Sequence, residues 1–303
     1  MTGPASDQAR ERQRLTVDHR LDLAALFRST PGPRCFGPGD LWWATRTPDG
    51  PGTVTLHRSR PDEVIAEAWG PGAGWLIGQT PGLLGHRDTP AGFRPDGRLG
   101  ARWRSHPVVL PRTDRLWDAA VSAVFGQKVQ AVKAGAATRA LARRFGTPAP
   151  GPRAGWILPA PATVAELGSF RFHPIGVERR RAETLQRLAR ALPGSEAPGT
   201  ADPALVEHRL RVVRGVGPWT SAMITATALG HADAVPVGDF HIPDSVCWML
   251  AGEPSGDDDR MLQLLEPYVG HRWRVIRLAE TTSRPPRRGP RLALDGDGMS
   301  RGR

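Results

Sequence analysis

The stretch Leu210–Asp239, LRVVRGVGPWTSAMITATALGHADAVPVGD, constrains this chain more than any other. Leu210, Val212 and Val213 close one apolar-patterned segment, and Trp219 to Leu229 resumes at helical spacing. Between them Gly215-Val216-Gly217 makes a turn too tight for side chains. Two glycines around one apolar residue let the backbone take positive φ and leave peptide N–H groups bare at the start of the next helix. A bare helix N-terminus is a phosphate site. Asp239 follows 22 residues after Gly217, in a Gly-Asp-Phe-His context that no turn rule requires. A phosphate-gripping hairpin followed by a placed carboxylate predicts chemistry on DNA.

The charge balance agrees. A formal charge of +11 over 303 residues points to a polyanionic partner. Richness in Arg, Ala, Gly and Pro can raise the charge without function, and of the 41 basic residues only Lys128 and Lys133 are lysines. The motifs therefore carry the argument. Cys35 and Cys247 are the only cysteines, which excludes an internal disulfide framework, an all-cysteine zinc site and a four-cysteine iron–sulfur cluster. No His/Cys/carboxylate group has metal-ligand spacing, so neither metal nor cofactor is expected. The polar start MTGPASDQARERQRL lacks the apolar core of a signal peptide, and no run of about eighteen apolar residues appears. The expectation is a cytoplasmic, nucleoid-associated protein with no membrane partner.

Patterning divides the chain into four parts. Residues 1–19 are polar and aperiodic and are expected to be disordered. Residues 20–112 read as a small α+β domain: a short helix over Leu21–Phe27, then strands Leu41–Thr45 and Gly52–Leu56 around a Pro-Asp-Gly-Pro turn. Residues 113–283 read as all-helical. Leu116 to Val124 follows a 3.6 period, and a second helix spans Lys128–Phe145, ending at Gly146. Further helices are expected over Thr163–Leu167, Glu178–Ala191, Asp244–Leu250, Asp258–Leu265 and Arg272–Glu280, and Pro203–Val213 leads into the hairpin. Arg179, Arg180 and Arg181 are read as a solvated helix face, and Phe240 and Trp248 as core. Residues 284–303 form a basic tail expected to be disordered. The fold class is thus an α+β N-terminal module followed by an all-α helix-hairpin-helix body.

Three segments, in order, carry a resemblance: Trp117 through Gly126-Gln127, the Gly176–Leu188 stretch with Arg181-Ala182-Glu183, and Gly215-Val-Gly-Pro-Trp-Thr-Ser-Ala222 with the acid after it. Together they resemble the helix-hairpin-helix superfamily of DNA glycosylases, most of all its 3-methyladenine DNA glycosylase II branch. The resemblance covers residues 20–280. It implies that Asp239 is the catalytic carboxylate, against the plainer role of helix N-cap. It implies a base pocket of Trp219 and Trp273, with Met223 where the family keeps a tyrosine; Trp273 reads equally as a core aromatic. Gln127 would enter the minor groove and Lys128 would fill the gap left by the flipped base, or contact only backbone. Gly215, Val216, Gly217 and Thr220 would bind the DNA backbone, with Thr220 and Ser221 alternatively capping the helix, and carbonyls near Val213 and Val216 would hold a monovalent cation.

A lyase of this family keeps a lysine where Trp219 stands, so the resemblance implies a monofunctional enzyme that uses water. The expected activity is excision of alkylated purines such as 3-methyladenine from double-stranded DNA by base flipping, by a monomer without cofactor, in base excision repair. The alternative is a non-catalytic helix-hairpin-helix DNA-binding protein, which the Met223 and Lys128 departures favour. An iron–sulfur glycosylase fails for want of cysteines.

Overall fold

The computed structural model describes residues 11–18, 22–23, 26, 34–35, 40–192 and 201–281. Five antiparallel strands open the chain: β1 (Glu11–Thr16), β2 (Arg34–Cys35), β3 (Asp40–Thr47), β4 (Gly50–Arg60) and β5 (Glu63–Trp69), in the order β1-β5-β4-β3-β2. Alternation fixes their register. In β5, Val64, Ala66 and Ala68 are wholly buried while their neighbours are half-exposed, and helix α1 (Ala73–Leu83) covers that face with Leu76 and Leu83. β1 pairs with β5 from Glu11↔Ala68 to Thr16↔Glu63. This corrects the expected disorder of residues 1–19: Leu15 and Val17 are buried in the sheet's core, an alternation too short to stand out without its partner strand. Residues 1–10 and the tail 284–303 lie outside the described residues. Of the helix expected over Leu21–Phe27, Leu23 and Leu26 are helical and buried.

The helical body comprises α2 (Gly97–Ser105), α3 (Leu116–Gly126), α4 (Ala131–Phe145), α5 (Pro161–Glu166), α6 (Arg179–Ala191), α7 (Pro203–Leu210), α8 (Pro218–Leu229), α9 (Ile242–Ala251), α10 (Asp258–Leu265) and α11 (Arg272–Glu280). A two-stranded ribbon of β6 (Thr147–Pro148) and β7 (Trp156–Ile157) joins α4 to α5.

Two cores result. One surrounds α3, which is mostly apolar and buried between α4, α6 and α8. The other joins α2 with α8–α11 through Leu99, Met261, Leu265, Trp273 and Ile276. Helix α8 serves both: Ile224 and Ala228 face the first, Ala222 and Ala226 the second, and Met223 touches each.

The boundary expected at 112/113 is not where the packing changes. Phe93, Leu99 and Leu110 belong to the second helical core, and α2, unread in the Gly/Pro-dense sequence before it, packs on α9 and α11. The physical tie is Arg274, a fully buried guanidinium on α11 that donates 2.6 Å hydrogen bonds to both oxygens of Asp88. A charge with no solvent exposure requires such a partner. The sheet is tied in as well: the Thr45 hydroxyl donates to Asp118 of α3 at 2.6 Å. Burial pushes the Asp118 carboxyl above the usual range, against the opposing pull of Arg115 and this hydrogen bond.

Candidate active site

The hairpin is built by α7, the turn Arg211–Gly217 and α8. Asp202 caps α7, its carboxylate accepting the Ala204 N–H at 2.9 Å. Gly215 sits at φ +98°, and a Cβ there would come within 3 Å of the Thr184 side chain on α6, so both conformation and space demand glycine. Gly217 differs from the expectation of positive φ. It is extended (φ −96°, ψ −176°), with open space around it, and stands at the N-cap of α8 without a side-chain cap. Pro218 opens the helix, and among the described residues the N–H groups of Gly217, Trp219 and Thr220 donate to nothing within the protein. These free donors and the helix dipole make an anion site.

Polar contacts fix the turn from behind. The Gln127 amide, just past α3, donates to the Gly215 carbonyl at 3.0 Å and to the Thr220 hydroxyl at 2.9 Å. Arg211 donates to Ser221 at 3.1 Å and to Glu207 at 2.5 Å. Glu207 is buried, and its second oxygen meets His231 Nδ1 at 3.1 Å and the Thr225 hydroxyl at 3.3 Å. Burial alone pushes the Glu207 carboxyl up, but the hydrogen bonds and charges of His231 and Arg211 outweigh it, so the net direction is down.

Asp239 lies one hydrogen bond from the first turn of α8. Its Oδ2 accepts the Trp219 indole N–H at 2.8 Å. Its Oδ1 accepts the backbone N–H groups of His241 (2.8 Å) and Ile242 (3.0 Å), at the start of α9. Just before it, Gly238 (φ +93°) donates its N–H to the Asp258 carboxylate. Three donors thus hold a half-buried carboxylate in one orientation beside a helix terminus suited to phosphate. The indole of Trp219 runs back toward α3, where a Cβ on Gly126 would lie 3.3 Å from its Cη2.

Residues 121–269 match the family model described as "HhH-GPD superfamily base excision DNA repair protein". The chain carries an HhH-GPD domain. That match takes in the end of α3, the hairpin, Asp239 and α10, and stops short of the N-terminal sheet and α11. A Bacillus subtilis (strain 168) protein provisionally named DNA-3-methyladenine glycosylase YfjP is 28% identical over 133 residues, 40% of this chain and 46% of that protein, so the chain spans about half its length. The fold is similar to that of the 3-methyladenine DNA glycosylase from Archaeoglobus fulgidus, with a TM-score of 0.74 at 15% identity over 88% of this chain and 96% of that one. It is also similar to the Clostridium acetobutylicum 8-oxoguanine glycosylase/lyase solved with duplex DNA, with a TM-score of 0.66 at 11% identity over 86% and 91% of the two chains. Both likenesses reach the N-terminal sheet.

Within the HhH-GPD domain the structure brings Asp239, Trp219, Gln127 and the Gly215–Gly217 turn together. The N-cap role weighed for Asp239 is real, through Oδ1. Trp273, on α11 beyond the family match, is 4% exposed inside the second core, with Arg277 over its ring. Met223, half-buried, bridges the two cores one helical turn after Trp219. Thr220 is corrected as a DNA contact through its side chain: it is 3% exposed and its hydroxyl accepts from Gln127. Gln127 likewise turns its amide N–H groups to the hairpin. Val216 buries its side chain in the first core, leaving backbone to the turn surface.

Lys128 is exposed, but it precedes α4 instead of starting it: the helix opens at Ala131 and Lys128 takes φ +53°. Arg181 is not solvated; it is buried and donates to the Phe125 carbonyl at 3.1 Å. Phe240, expected in the core, is 87% exposed beside Asp239, its ring set edge-on to His241. Trp248 is half-buried beneath Arg98. The Glu207–His231 cluster went unread because its members are 24 positions apart and either alone is unremarkable in sequence. Among the described residues no group of His, Cys, Asp and Glu is arranged to hold a metal, and no helix is long and apolar enough to cross a membrane.

Proposed function

We propose that this chain is a DNA glycosylase that excises alkylated purines such as 3-methyladenine from double-stranded DNA. One observation carries the reading: the Asp239 carboxylate, fixed by Trp219 and two amides, stands beside an uncapped helix N-terminus that suits a phosphate. A base inside the duplex is out of reach, so the nucleotide must turn out toward the protein. As the C1′–N bond breaks, positive charge grows on the sugar, and a half-buried carboxylate already held in one orientation stabilises it. Oδ1 is committed to the α9 amides, so Oδ2 faces the sugar and directs the attacking water. An alkylated purine is cationic and leaves readily, and the electron-rich face of Trp219 favours such a base. Trp219 stands where a lyase would keep its lysine, so the glycosidic step is monofunctional, with water as the nucleophile. The Val213 carbonyl accepts only the Val216 N–H among the described residues, so it and the Val216 carbonyl keep lone pairs for the monovalent cation that the family resemblance implies.

The test is free-base release from methylated duplex DNA by wild type and Asp239→Asn. Asn preserves the cap on α9 and removes the charge, so release should fall at least a hundredfold with binding retained. The capping bonds themselves favour the second reading, a DNA-binding module in which Asp239 is structural. No release by the wild type from methylated, deaminated or uracil-containing duplex, with binding intact, establishes that module and ends the glycosylase reading.

A further inference from the structure

Helix α3 ends in a tight turn that the mechanism above leaves unused. The Val129 N–H donates to the Gly126 carbonyl at 3.2 Å, Gln127 takes φ −57° and ψ 111°, and Lys128 takes φ +53°. This is a type II turn with lysine at the position that glycine or asparagine ordinarily fills. A non-glycine residue held at positive φ is strained, and such strain concentrates where function needs the side chain. Among the described residues only Asp114 shares the condition, and Asp114 is a buried partner of Arg87 and Arg112. Lys128 is exposed and, among the described residues, pairs with no carboxylate.

The turn is held on both sides. Gln127 is fastened to Gly215 and Thr220 of the hairpin, and Gly126 lies against the Trp219 ring that bonds Asp239. Lys128 is two residues from Gly126, a span of at most about 7 Å along the chain, and its own side chain is comparably long. The residue type matters too. Positive charge in this chain is supplied by arginine in all but two of 41 cases, and arginine would serve a phosphate at least as well. What lysine alone adds is a primary amine able to bond carbon.

We propose that Lys128 is an amine nucleophile that acts on the abasic sugar left after base release, and that it gives the protein a second, slower activity: cutting the strand at abasic sites. The proposal rests on the glycosylase reading for its substrate in the cell, though not for its test. In the ring-opened sugar, Nζ attacks the C1′ aldehyde and the resulting carbinolamine loses water, so a C1′=N bond replaces C1′=O. The imine acidifies C2′. A carboxylate or water takes the C2′ proton, the electron pair forms C2′=C3′, and the C3′–O bond breaks with departure of the 3′ phosphate. Hydrolysis of the imine returns the free lysine. No oxidant or reductant is consumed. The amine comes from the turn after α3 and not from the hairpin position where the family resemblance places a lyase's lysine.

The experiment uses the full chain and a duplex with one preformed abasic site, so glycosylase activity is not required. With sodium borohydride present, the imine is reduced to a stable protein–DNA adduct, and peptide mass mapping locates it. The expected result is an adduct on Lys128, lost at least tenfold in Lys128→Arg, which keeps the charge, and kept in Lys133→Arg. Nicking without borohydride should fall in parallel. Absence of an adduct with wild type, an adduct mapped to Lys133 or the terminal amine, or an undiminished yield in Lys128→Arg overturns the proposal. Base release from methylated DNA is measured beside it, so failure of the glycosylase reading is scored separately.

Discussion

Replacing Gly215 by alanine tests whether the hairpin's shape depends on its contact with α6. The added Cβ would meet the Thr184 Oγ1, Cγ2 and Cβ, the last two at 2.9 and 3.1 Å. Thr184 cannot swing aside without cost: it is 1% exposed, β-branched, and its hydroxyl donates to the Arg180 carbonyl at 2.9 Å. An L-residue at strongly positive φ costs about 1–2 kcal/mol, and forcing a methyl into a filled site costs about 1–3 kcal/mol more. Gly215→Ala should therefore cost about 3 kcal/mol. Thr184→Ala alone, losing a buried hydroxyl bond and a methyl, should cost about 1–2 kcal/mol. In the double variant the clashes with Oγ1 and Cγ2 vanish while the Cβ contact and the φ strain stay, so the loss should fall short of the sum by about 1–2 kcal/mol. Urea unfolding of the four proteins measures this directly, and affinity for undamaged duplex should fall with Gly215→Ala as the free N–H groups are displaced. A cost below about 1 kcal/mol for Gly215→Ala, or losses that simply add, would refute the argument.

Other expectations follow from the same contacts. Glu207 is held below the usual glutamate value of 4.5 by His231 and Arg211 despite its burial. Its stabilising contribution is therefore full above pH about 4.5 and lost as pH falls through the lower folded value; Glu207→Gln should flatten the acid limb of stability measured between pH 3 and 6. An unchanged limb would remove the cluster from that role. Gln127→Ala loses two hydrogen bonds to the hairpin and should cost about 1–2 kcal/mol in thermal unfolding, with a matching fall in duplex affinity; a neutral variant would show that the turn is held elsewhere. Phe240→Ala, at an 87% exposed position, should change stability by no more than about 0.5 kcal/mol, and a larger loss would return Phe240 to the core.

The sequence by itself carried what is local. The Gly-Val-Gly-Pro turn, the 3.6 periods of α3, α6 and α8, and the strands either side of Pro48-Asp49 depend on φ preferences and repeat spacing, which neighbours in sequence determine. Asp239 was legible as a candidate because its place after the hairpin is a matter of spacing. What only the tertiary structure decided are the contacts between distant segments. β1 is a strand because β5 offers it a register. Residues 88–110 belong to the second helical core because Arg274, buried on α11, needs Asp88. Thr220 and Gln127 look outward in sequence and turn to each other in space. Phe240 is exposed and Trp273 enclosed, although both are simply aromatic in the chain. Periodicity says which face of an element is apolar, but burial of a given ring depends on which other element arrives to cover it, and that is fixed only when both cores assemble around α8.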